Sequence, residues 1–200
     1  TPSFTVADSM ELLVGGTDNI VITDIVSDSN PVFTYVSDND AVSVVNGLVS
    51  GVSEGSAVVT VTLAETENYT SLSKDIAVSV SKKVVVISAD DVTMTYHDNA
   101  TLTATFTYND ESVEVPVAIT VNGDARENMT STGGQIILFD LDTWAAGTYT
   151  VNLTVNNAEF RGNKSVKVTV VKATPYFTVD GVSVLVGDTA TISPVPVIGD

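Results

Sequence analysis

The sequence has no cysteine, one histidine and only eight basic side chains, against 25 acidic ones in 200 residues. Without cysteine, the chain cannot form a disulfide framework, a thiolate zinc site or a thiol nucleophile. The single histidine, His97, leaves little material for a histidine metal site or a catalytic triad. Because the formal net charge of −17 repels phosphate backbones, we expect no nucleic-acid partner.

Long apolar runs are also absent, since none approaches the roughly 20 residues that a helix needs to cross a bilayer. We therefore expect no membrane span in this segment. The chain does not begin with methionine and shows no signal peptide, which predicts a fragment of a longer protein.

The abundant residues are apolar and β-branched. Hydrophobic side chains make up 44% of the sequence, which is too many for a disordered acidic chain. Valine and threonine together account for about a third of it, well above average usage. Branched side chains fit the half-buried surface of a sheet and lose rotamer freedom in helices. The composition therefore predicts an all-β protein.

Alternation with a period of two is the dominant pattern. Residues 101–108 place leucine, alanine, phenylalanine and tyrosine on one face and threonines on the other, and residues 148–155 alternate in the same way. Turn signals such as Asn46-Gly47 and Asn122-Gly123 separate such runs. Short, evenly punctuated strands with one polar and one apolar face predict two-sheet β-sandwiches.

Polar stretches divide the chain into blocks of the size expected for an immunoglobulin-like sandwich, so we expect an all-β fold of tandem immunoglobulin-like β-sandwiches. We predict a first sandwich over residues 1–81, a second over residues 82–172 and the truncated start of a further repeat over residues 173–200. The first block holds 11 acidic side chains and one basic one, so most of the negative charge belongs to it.

An internal repeat identifies the third block. Residues 1–6 (TPSFTV) return as residues 174–179 (TPYFTV), and residues 12–17 (LLVGGT) return as residues 184–189 (VLVGDT) with a shift of one residue. A segment this short cannot enclose a sandwich core alone. We therefore expect a tandem array, in which the strands of the third block dock on a neighbour or exchange between chains.

The first block carries spaced glycine turns within strand patterns. Residues 13–17 and 33–42 lead to residues 46–61, which begin with Asn46-Gly47 and contain Gly51 and Gly55. Together they resemble the bacterial immunoglobulin-like group 2 domain of intimin-type and other surface adhesins. The resemblance covers nearly all of the block. We expect both Gly51 and Gly55 to lie where a turn needs positive φ.

The second block resembles a different immunoglobulin-like repeat. Its features are Val121-Asn122-Gly123 and the segment 141–151, which ends in Gly147-Thr148-Tyr149-Thr150-Val151. These are similar to the repeat of large adhesin-like surface proteins of methanogenic archaea and of some bacteria. The resemblance implies that Tyr149 packs near the sandwich corner. It also implies a stalk or adhesive role outside the cell rather than a reaction.

Groups suited to catalysis are few. His97 lies beside Asp98 in a predicted turn without a nucleophile motif or metal-ligand spacing around it, which favours a solvated loop histidine. Paired acids are expected at strand ends, where they keep the surface soluble: Asp90-Asp91, Asp110-Glu111 and Asp140 with Asp142. We therefore predict that the protein is not an enzyme.

Calcium is the only cofactor for which the sequence offers candidate ligands. Asp38-Asn39-Asp40 clusters the oxygen atoms that hard cations prefer, although no complete EF-hand loop is present. Asp38 and Asp40 are therefore the candidate ligands. The alternative is loose screening of the acidic first block by divalent cations.

Two further chemistries depend on single side chains. Trp144 is a candidate glycan contact, but the resemblance favours an apolar plug in the core. A covalent lysine–asparagine link needs a buried lysine. Lys167 alternates with valines and is expected to face outward, and Lys164 is expected in a turn, so solvated lysines are the favoured interpretation.

Five sequons of the form N-x-[ST] are present, and four of them lie in the second block. Their asparagines are Asn68, Asn99, Asn128, Asn152 and Asn163. They are candidates for glycosylation in an archaeal or eukaryotic secretory setting and bare asparagines in most bacteria.

The sequence thus predicts a non-catalytic spacer of a large adhesin-like protein, cell-surface or secreted. Its neighbours are further repeats of the same chain, and its ligand is an unknown surface glycan or protein. One alternative is a carbohydrate-binding or accessory module of a secreted polysaccharide-active enzyme. Another is the subunit of a surface filament assembled by strand addition.

Overall fold

The computed structural model describes residues 1–126, 128–141 and 143–197. All the regular secondary-structure elements assigned within these ranges are β-strands, so the prediction of an all-β protein is confirmed. Within the same ranges, no helix has the length and hydropathy to cross a membrane. Asp142, named above as one of the paired acids, lies outside the described residues.

The chain divides into two compact units. The first contains residues 1–86 and 155–162, and the second contains residues 87–154 and the described residues from 163 onward. The boundaries predicted from sequence, at residues 81/82 and 172/173, stay a prediction.

The first unit is built from ten short strands and from the ends of two longer ones. The ten strands are β1 (Ser3–Thr5), β2 (Ser9–Leu13), β3 (Thr17–Asn19), β4 (Thr23–Val26), β5 (Phe33–Ser37), β6 (Val42–Val45), β7 (Leu48–Gly51), β8 (Gly55–Leu63), β9 (Leu72–Ser81) and β10 (Lys83–Val84). One sheet has the order β2-β9-β8-β5 and another the order β3-β7-β6, while β1 pairs with β4.

This arrangement is that of an immunoglobulin-like sandwich. Strands β1, β3 with β4, β7 and β6 correspond to the A, B, E and D strands, and β5, β8 and β9 to the C, F and G strands. Among β1–β9 the pairings are antiparallel except one. Strand β2 runs parallel to β9, with Ser9 opposite Ala77 and Leu13 opposite Ser81.

The core of the first unit lies between the two sheets. Alternate residues of β8 and β9 supply seven of its twelve buried residues, because successive side chains of a strand point to opposite faces. The buried cluster is Phe4, Leu12, Val14, Val42, Val49, Ala57, Val59, Val61, Leu63, Ile76, Val78 and Val80.

The second unit repeats the arrangement. Its strands are β11 (Val86–Ser88), β12 (Val92–Thr95), β13 (Thr101–Tyr108), β14 (Glu111–Ser112), β15 (Pro116–Val121), β16 (Asp124–Ala125), β17 (Met129–Thr130), β18 (Gln135–Asp140), β19 (Gly147–Asn156), β20 (Phe160–Val171), β21 (Tyr176–Thr178) and β22 (Val195–Val197). Strands β11, β13 and β18 form one sheet with β14, and β12, β20, β19 and β15 form the other. Strand β12 is parallel to β20, with Val92 opposite Val168. Tandem immunoglobulin-like sandwiches, as predicted, are therefore present.

The alternation read from the sequence is reproduced in both long strands. Leu102, Ala104 and Phe106 are buried in β13, and Val151 and Leu153 are fully buried in β19. The residues between them are exposed or half-buried, as expected for strands that pack on one face.

The Asn46-Gly47 turn has the predicted form. It joins β6 to β7 with Val45 opposite Leu48, and both turn residues have positive φ, 51° and 82°. A two-residue loop with this backbone matches the twist of a hairpin, which explains the Asn-Gly pair.

The expectation that Gly51 needs positive φ is wrong. Gly51 lies within β7 and is absent from the positive-φ glycines, whereas Gly55 has a φ of 155°. A Cβ atom on Gly51 would lie 2.8 Å from the carbonyl oxygen of Leu13 and 2.9 Å from Cγ1 of Val80. Close packing therefore requires glycine at this position.

The sequence repeat at the end of the chain is also a structural repeat. Strand β21 pairs antiparallel with β22, placing Tyr176 opposite Val197. In the first unit β1 pairs antiparallel with β4, placing Ser3 opposite Val26. Tyr176 is the sequence counterpart of Ser3, so the same strand pair forms in both copies.

The glycine turns of the two copies match as well. Gly15 has a φ of 77° and Gly187 a φ of 99°. The amide of Gly16 donates to the carbonyl of Leu13 at 2.8 Å, and the amide of Asp188 donates to that of Leu185 at 3.0 Å. Local sequence therefore forms these turns without the rest of a sandwich around them.

Candidate functional site

The candidate calcium loop is held by its own hydrogen bonds. Oδ1 of Asp38 accepts the amide of Val58 at 2.7 Å, and the amide of Asp38 donates to the carbonyl of Val58 at 3.1 Å. Asn39 uses its Oδ1 to accept the amide of Ala41 at 2.8 Å. One oxygen of Asp38 thus joins the loop to β8, although both Asp38 and Asp40 are exposed.

Calcium binding by Asp38 and Asp40 in this loop stays a prediction. Among the described residues, no group of three or more acidic or histidine side chains is arranged to hold a metal ion. A calcium ion here would therefore need backbone carbonyls or water for most of its six to eight ligands.

Of the side chains considered for catalysis, His97 lies in a turn, while Glu111 and Asp140 lie in β14 and β18. His97 is exposed with a φ of 72°, and its ring centroid is 4.1 Å from that of Tyr96. Oδ2 of Asp98 accepts the amide of Thr95 at 2.7 Å, which stabilises the turn. Oδ1 of Asp91 accepts the amide of Lys167 at 2.8 Å. Two of these acids therefore have structural hydrogen bonds.

Trp144 packs at a sandwich corner. Its half-buried ring contacts Tyr149 edge to face, with centroids 4.6 Å apart and planes at 65°. The hydroxyl of Tyr149 donates to the carbonyl of Ala145 at 2.9 Å. A tyrosine that reaches back a few residues from the start of a late strand is the corner that the resemblance implied. A glycan contact at Trp144 stays a prediction.

The sequon of Asn68 is engaged with an acid. Its Nδ2 donates to both carboxylate oxygens of Asp28 at 3.1 and 3.2 Å. Its backbone amide donates to Oδ2 of Asp28 at 3.3 Å. A side-chain hydrogen bond from Thr66, and next the one from Asn68, hold the pKa of Asp28 below its ordinary value, because both stabilise the carboxylate.

Two sequons of the second block share one face of its sheet. Asn152 and Asn163 line the same shallow cleft with Thr120, Thr154 and Ser165. Asn152 is half-buried, and its Nδ2 donates to Oγ1 of Thr120 at 3.3 Å. Of the other sequon asparagines in this block, Asn99 and Asn128 are exposed. Glycosylation stays a prediction at all five positions.

A polar cluster in the first unit was missed from the sequence. Nζ of Lys82 donates to Oδ1 of Asn156 at 2.6 Å and lies 3.7 Å from Oε2 of Glu54. Oε1 of Glu54 is 3.5 Å from Nη1 of Arg161. We call these four residues the Lys82 cluster. Their separation along the chain gives no local pattern, so only the fold brings them together.

A second lysine, next to Lys82 in the chain, forms an ion pair of its own. Lys83 forms an ion pair with Glu159 and lies over the ring of Phe160 at 5.6 Å. Strand β10 runs parallel to β20, with Lys83 opposite Phe160. Oδ1 of Asn157 accepts the amides of Glu159 and Phe160, which shapes the hairpin that carries these partners.

Comparison with known proteins gives fold neighbours only. No family model matches the chain, and no curated protein matches it. Among solved structures, it is similar to the titin domains z1z2 in complex with telethonin (16% identity, 86% of this chain and 98% of that chain, TM-score 0.42). It is also similar to Sidekick-1 immunoglobulin domains 1–5 (17% identity, 86% of this chain and 39% of that chain, TM-score 0.40). A third similar structure is that of Clostridium thermocellum CbhA fibronectin(III)-like modules (14% identity, 85% of this chain and 95% of that chain, TM-score 0.35). At these identities and TM-scores the matches carry no functional assignment.

Proposed function

We propose that this chain is a non-catalytic spacer segment of a larger adhesin-like protein located outside the cell. The observation that carries the proposal is modular repetition. Two units have the same strand arrangement, and the segment 173–197 repeats the strand pair and the glycine turn that open the first. A chain that repeats a folded module is suited to setting a distance.

The proposal extends to family. We infer that the first sandwich belongs with the bacterial group 2 immunoglobulin-like domains and the second with the repeats of methanogen adhesin-like surface proteins. The glycine spacing of residues 46–55 supports the first assignment, and the Tyr149 corner supports the second. In an archaeal host, glycans on the five sequons would add a hydrated coat.

The mechanism is geometric. Each sandwich encloses its own core and therefore contributes a set length, so the reach of the parent protein scales with the number of modules. The net charge of −17 keeps neighbouring copies apart, and added cations screen this repulsion.

Small-angle scattering with light scattering tests the spacer. We expect a monomeric, elongated particle whose maximum dimension grows by an equal increment when residues 1–172 are duplicated in tandem. The duplicated chain is the control for oligomerisation. A dimer of the original chain would have nearly the same mass as the duplicated chain, but the mass of the dimer would change with protein concentration. A compact particle, or a mass above that of one chain, would contradict the proposal.

A filament subunit is the second candidate, and the exposed apolar side chains of the last segment favour it. Val184 and Val186 are 55% and 107% exposed, whereas their counterparts Leu12 and Val14 in the first segment are 9% and 8% exposed. Strands with such a face associate when a partner completes them. Oligomers that grow with concentration and vanish when the chain ends at Lys172 would establish the filament in place of the spacer.

A further inference from the structure

The strongest unassigned chemistry lies in the Lys82 cluster, where an amine meets a carboxamide. Nζ of Lys82 lies 2.6 Å from Oδ1 of Asn156. Both residues belong to the first unit and are 74 positions apart in the chain. The Lys82 side chain is only 16% exposed. A largely covered lysine facing a side-chain amide is the pair of groups that forms an internal amide cross-link.

The distances suit attack on the carboxamide carbon. A C=O bond is about 1.23 Å long, so Nζ of Lys82 can be no more than about 3.8 Å from Cγ of Asn156. Reacting atoms in near-attack geometry are about 3 to 3.5 Å apart. A small side-chain movement therefore brings the nitrogen into range.

Glu54 supplies the proton acceptor that the reaction needs. Its Oε2 is 3.7 Å from Nζ of Lys82, and its Oε1 is 3.5 Å from Nη1 of Arg161. The arginine remains charged throughout the accessible pH range, so its ion pair with Glu54 holds the carboxylate beside Lys82. The Glu54–Arg161 ion pair, with both side chains about half exposed, contributes little to stability.

We propose that Lys82 and Asn156 form an intramolecular isopeptide bond, with Glu54 as general base and then general acid. Glu54 takes a proton from the Lys82 ammonium, and the neutral amine attacks Cγ of Asn156 to give a tetrahedral carbon. Nζ passes a proton to the departing nitrogen through Glu54. The Cγ–Nδ2 bond breaks, and ammonia leaves as the Nζ–Cγ amide forms. No electrons are transferred, and no co-reactant is needed.

The neighbouring lysine shows why Lys82 is the nucleophile. Lys83 faces the carboxylate of Glu159, and an ionised carboxylate resists attack by an amine. Asn156 instead presents a neutral carboxamide. It is exposed, so the released ammonia escapes to water and the reverse reaction is suppressed.

The bond would close a large covalent loop from residue 82 to residue 156, with both ends in the first unit and residues 87–154 of the second unit between them. A cross-link between distant positions lowers the conformational entropy of the unfolded chain. This inference does not depend on the spacer proposal, because a cross-linked chain could serve either candidate function.

Intact-mass measurement of the full chain is the test. We expect a deficit of about 17 Da, the mass of ammonia lost when the amide forms, and a protease digest in which the peptides of Lys82 and Asn156 are joined. K82R and N156A should restore the full mass, whereas K83R is the matched control and should keep the deficit. A full-mass wild-type chain after prolonged incubation would overturn the proposal.

One side reaction gives the same deficit and is resolved by the variants. Asn156 can also lose ammonia by cyclising onto its own backbone, which joins no peptides and does not require Lys82. A deficit that persists in K82R would therefore overturn the cross-link. E54Q should slow the appearance of the joined peptide at least tenfold in a chain whose circular dichroism is unchanged, and an unchanged rate would remove Glu54 from the mechanism.

Discussion

Phe4 and Phe177 occupy equivalent positions in two copies of one short segment, yet Phe4 is 1% exposed and Phe177 is 67% exposed. Phe4 packs edge to face on Phe33 with centroids 5.3 Å apart, and Nζ of Lys74 lies 5.6 Å from its ring centroid. The same phenylalanine is thus part of a core in one copy and faces solvent in the other.

Truncating each phenylalanine to alanine should therefore change the free energy of unfolding by very different amounts. Phe4→Ala should lower the free energy of unfolding of the first unit by about 3 to 5 kcal/mol, because it leaves a cavity. Phe177→Ala should change the stability of the monomeric chain by no more than about 0.5 kcal/mol. Urea denaturation of both variants checks this. A large loss for Phe177→Ala would mean that the last segment is covered in solution.

The hairpin glycines offer a second matched pair. Gly47 and Gly123 both have positive φ, 82° and 92°. A Cβ on Gly47 would lie 3.2 Å from Cζ of Tyr35, whereas one on Gly123 would meet nothing within 4 Å. Alanine should cost about 1 to 2 kcal/mol through backbone strain at either site, and more at Gly47 because Tyr35 must move. Equal losses in thermal denaturation would argue against the Tyr35 contact.

The Tyr149 hydroxyl should be worth one hydrogen bond. Tyr149→Phe removes the donor to Ala145 and leaves the ring against Trp144, so we expect a loss of about 1 kcal/mol in the second unit. Tyr176→Phe is the control, because that side chain is 53% exposed. Chemical denaturation should separate the two variants, and an unchanged midpoint for Tyr149→Phe would show that water replaces the bond.

Acid should weaken the contacts around Asp28. The pKa of Asp28 is lowered in the folded state, so its stabilising contribution is complete above the unfolded pKa and is lost as pH falls through the folded pKa. Thr66→Val should raise the pKa of Asp28, and Asn68→Ala should raise it by less, because the Thr66 hydrogen bond has the larger effect. Titration followed by NMR measures both. Asn99→Ala should leave it unchanged.

Residues whose role depends on neighbours along the chain were predicted well from the sequence. Leu102, Ala104 and Phe106 follow a period of two, and this period is a property of any strand with one buried face. Asn46-Gly47 was also predicted, because the backbone of a two-residue hairpin selects those residues.

Residues whose role depends on distant partners were not predicted. Gly51 is required by the approach of Leu13 and Val80, which no local pattern encodes. Lys82 meets Asn156 because residues 155–162, where β19 ends and β20 begins, belong to the first unit, so the sequence directed attention to Lys164 and Lys167 instead. Asp38 was read as a cation ligand, and its bond to Val58 becomes visible only when β5 lies beside β8.

The parallel pairing of β2 with β9, and of β12 with β20, has a consequence for tension. A pull on the two ends of the chain draws β2 and β9 in opposite directions along their common axis. The hydrogen bonds between them lie across that direction, so the pairs from Ser9 with Ala77 to Leu13 with Ser81 share the load and must break together. The first sandwich therefore resists stretching by shear rather than by opening one bond at a time. The same holds for β12 and β20 in a chain whose Lys82 and Asn156 are not joined, because the proposed cross-link carries the tension from residue 82 to residue 156 past β12.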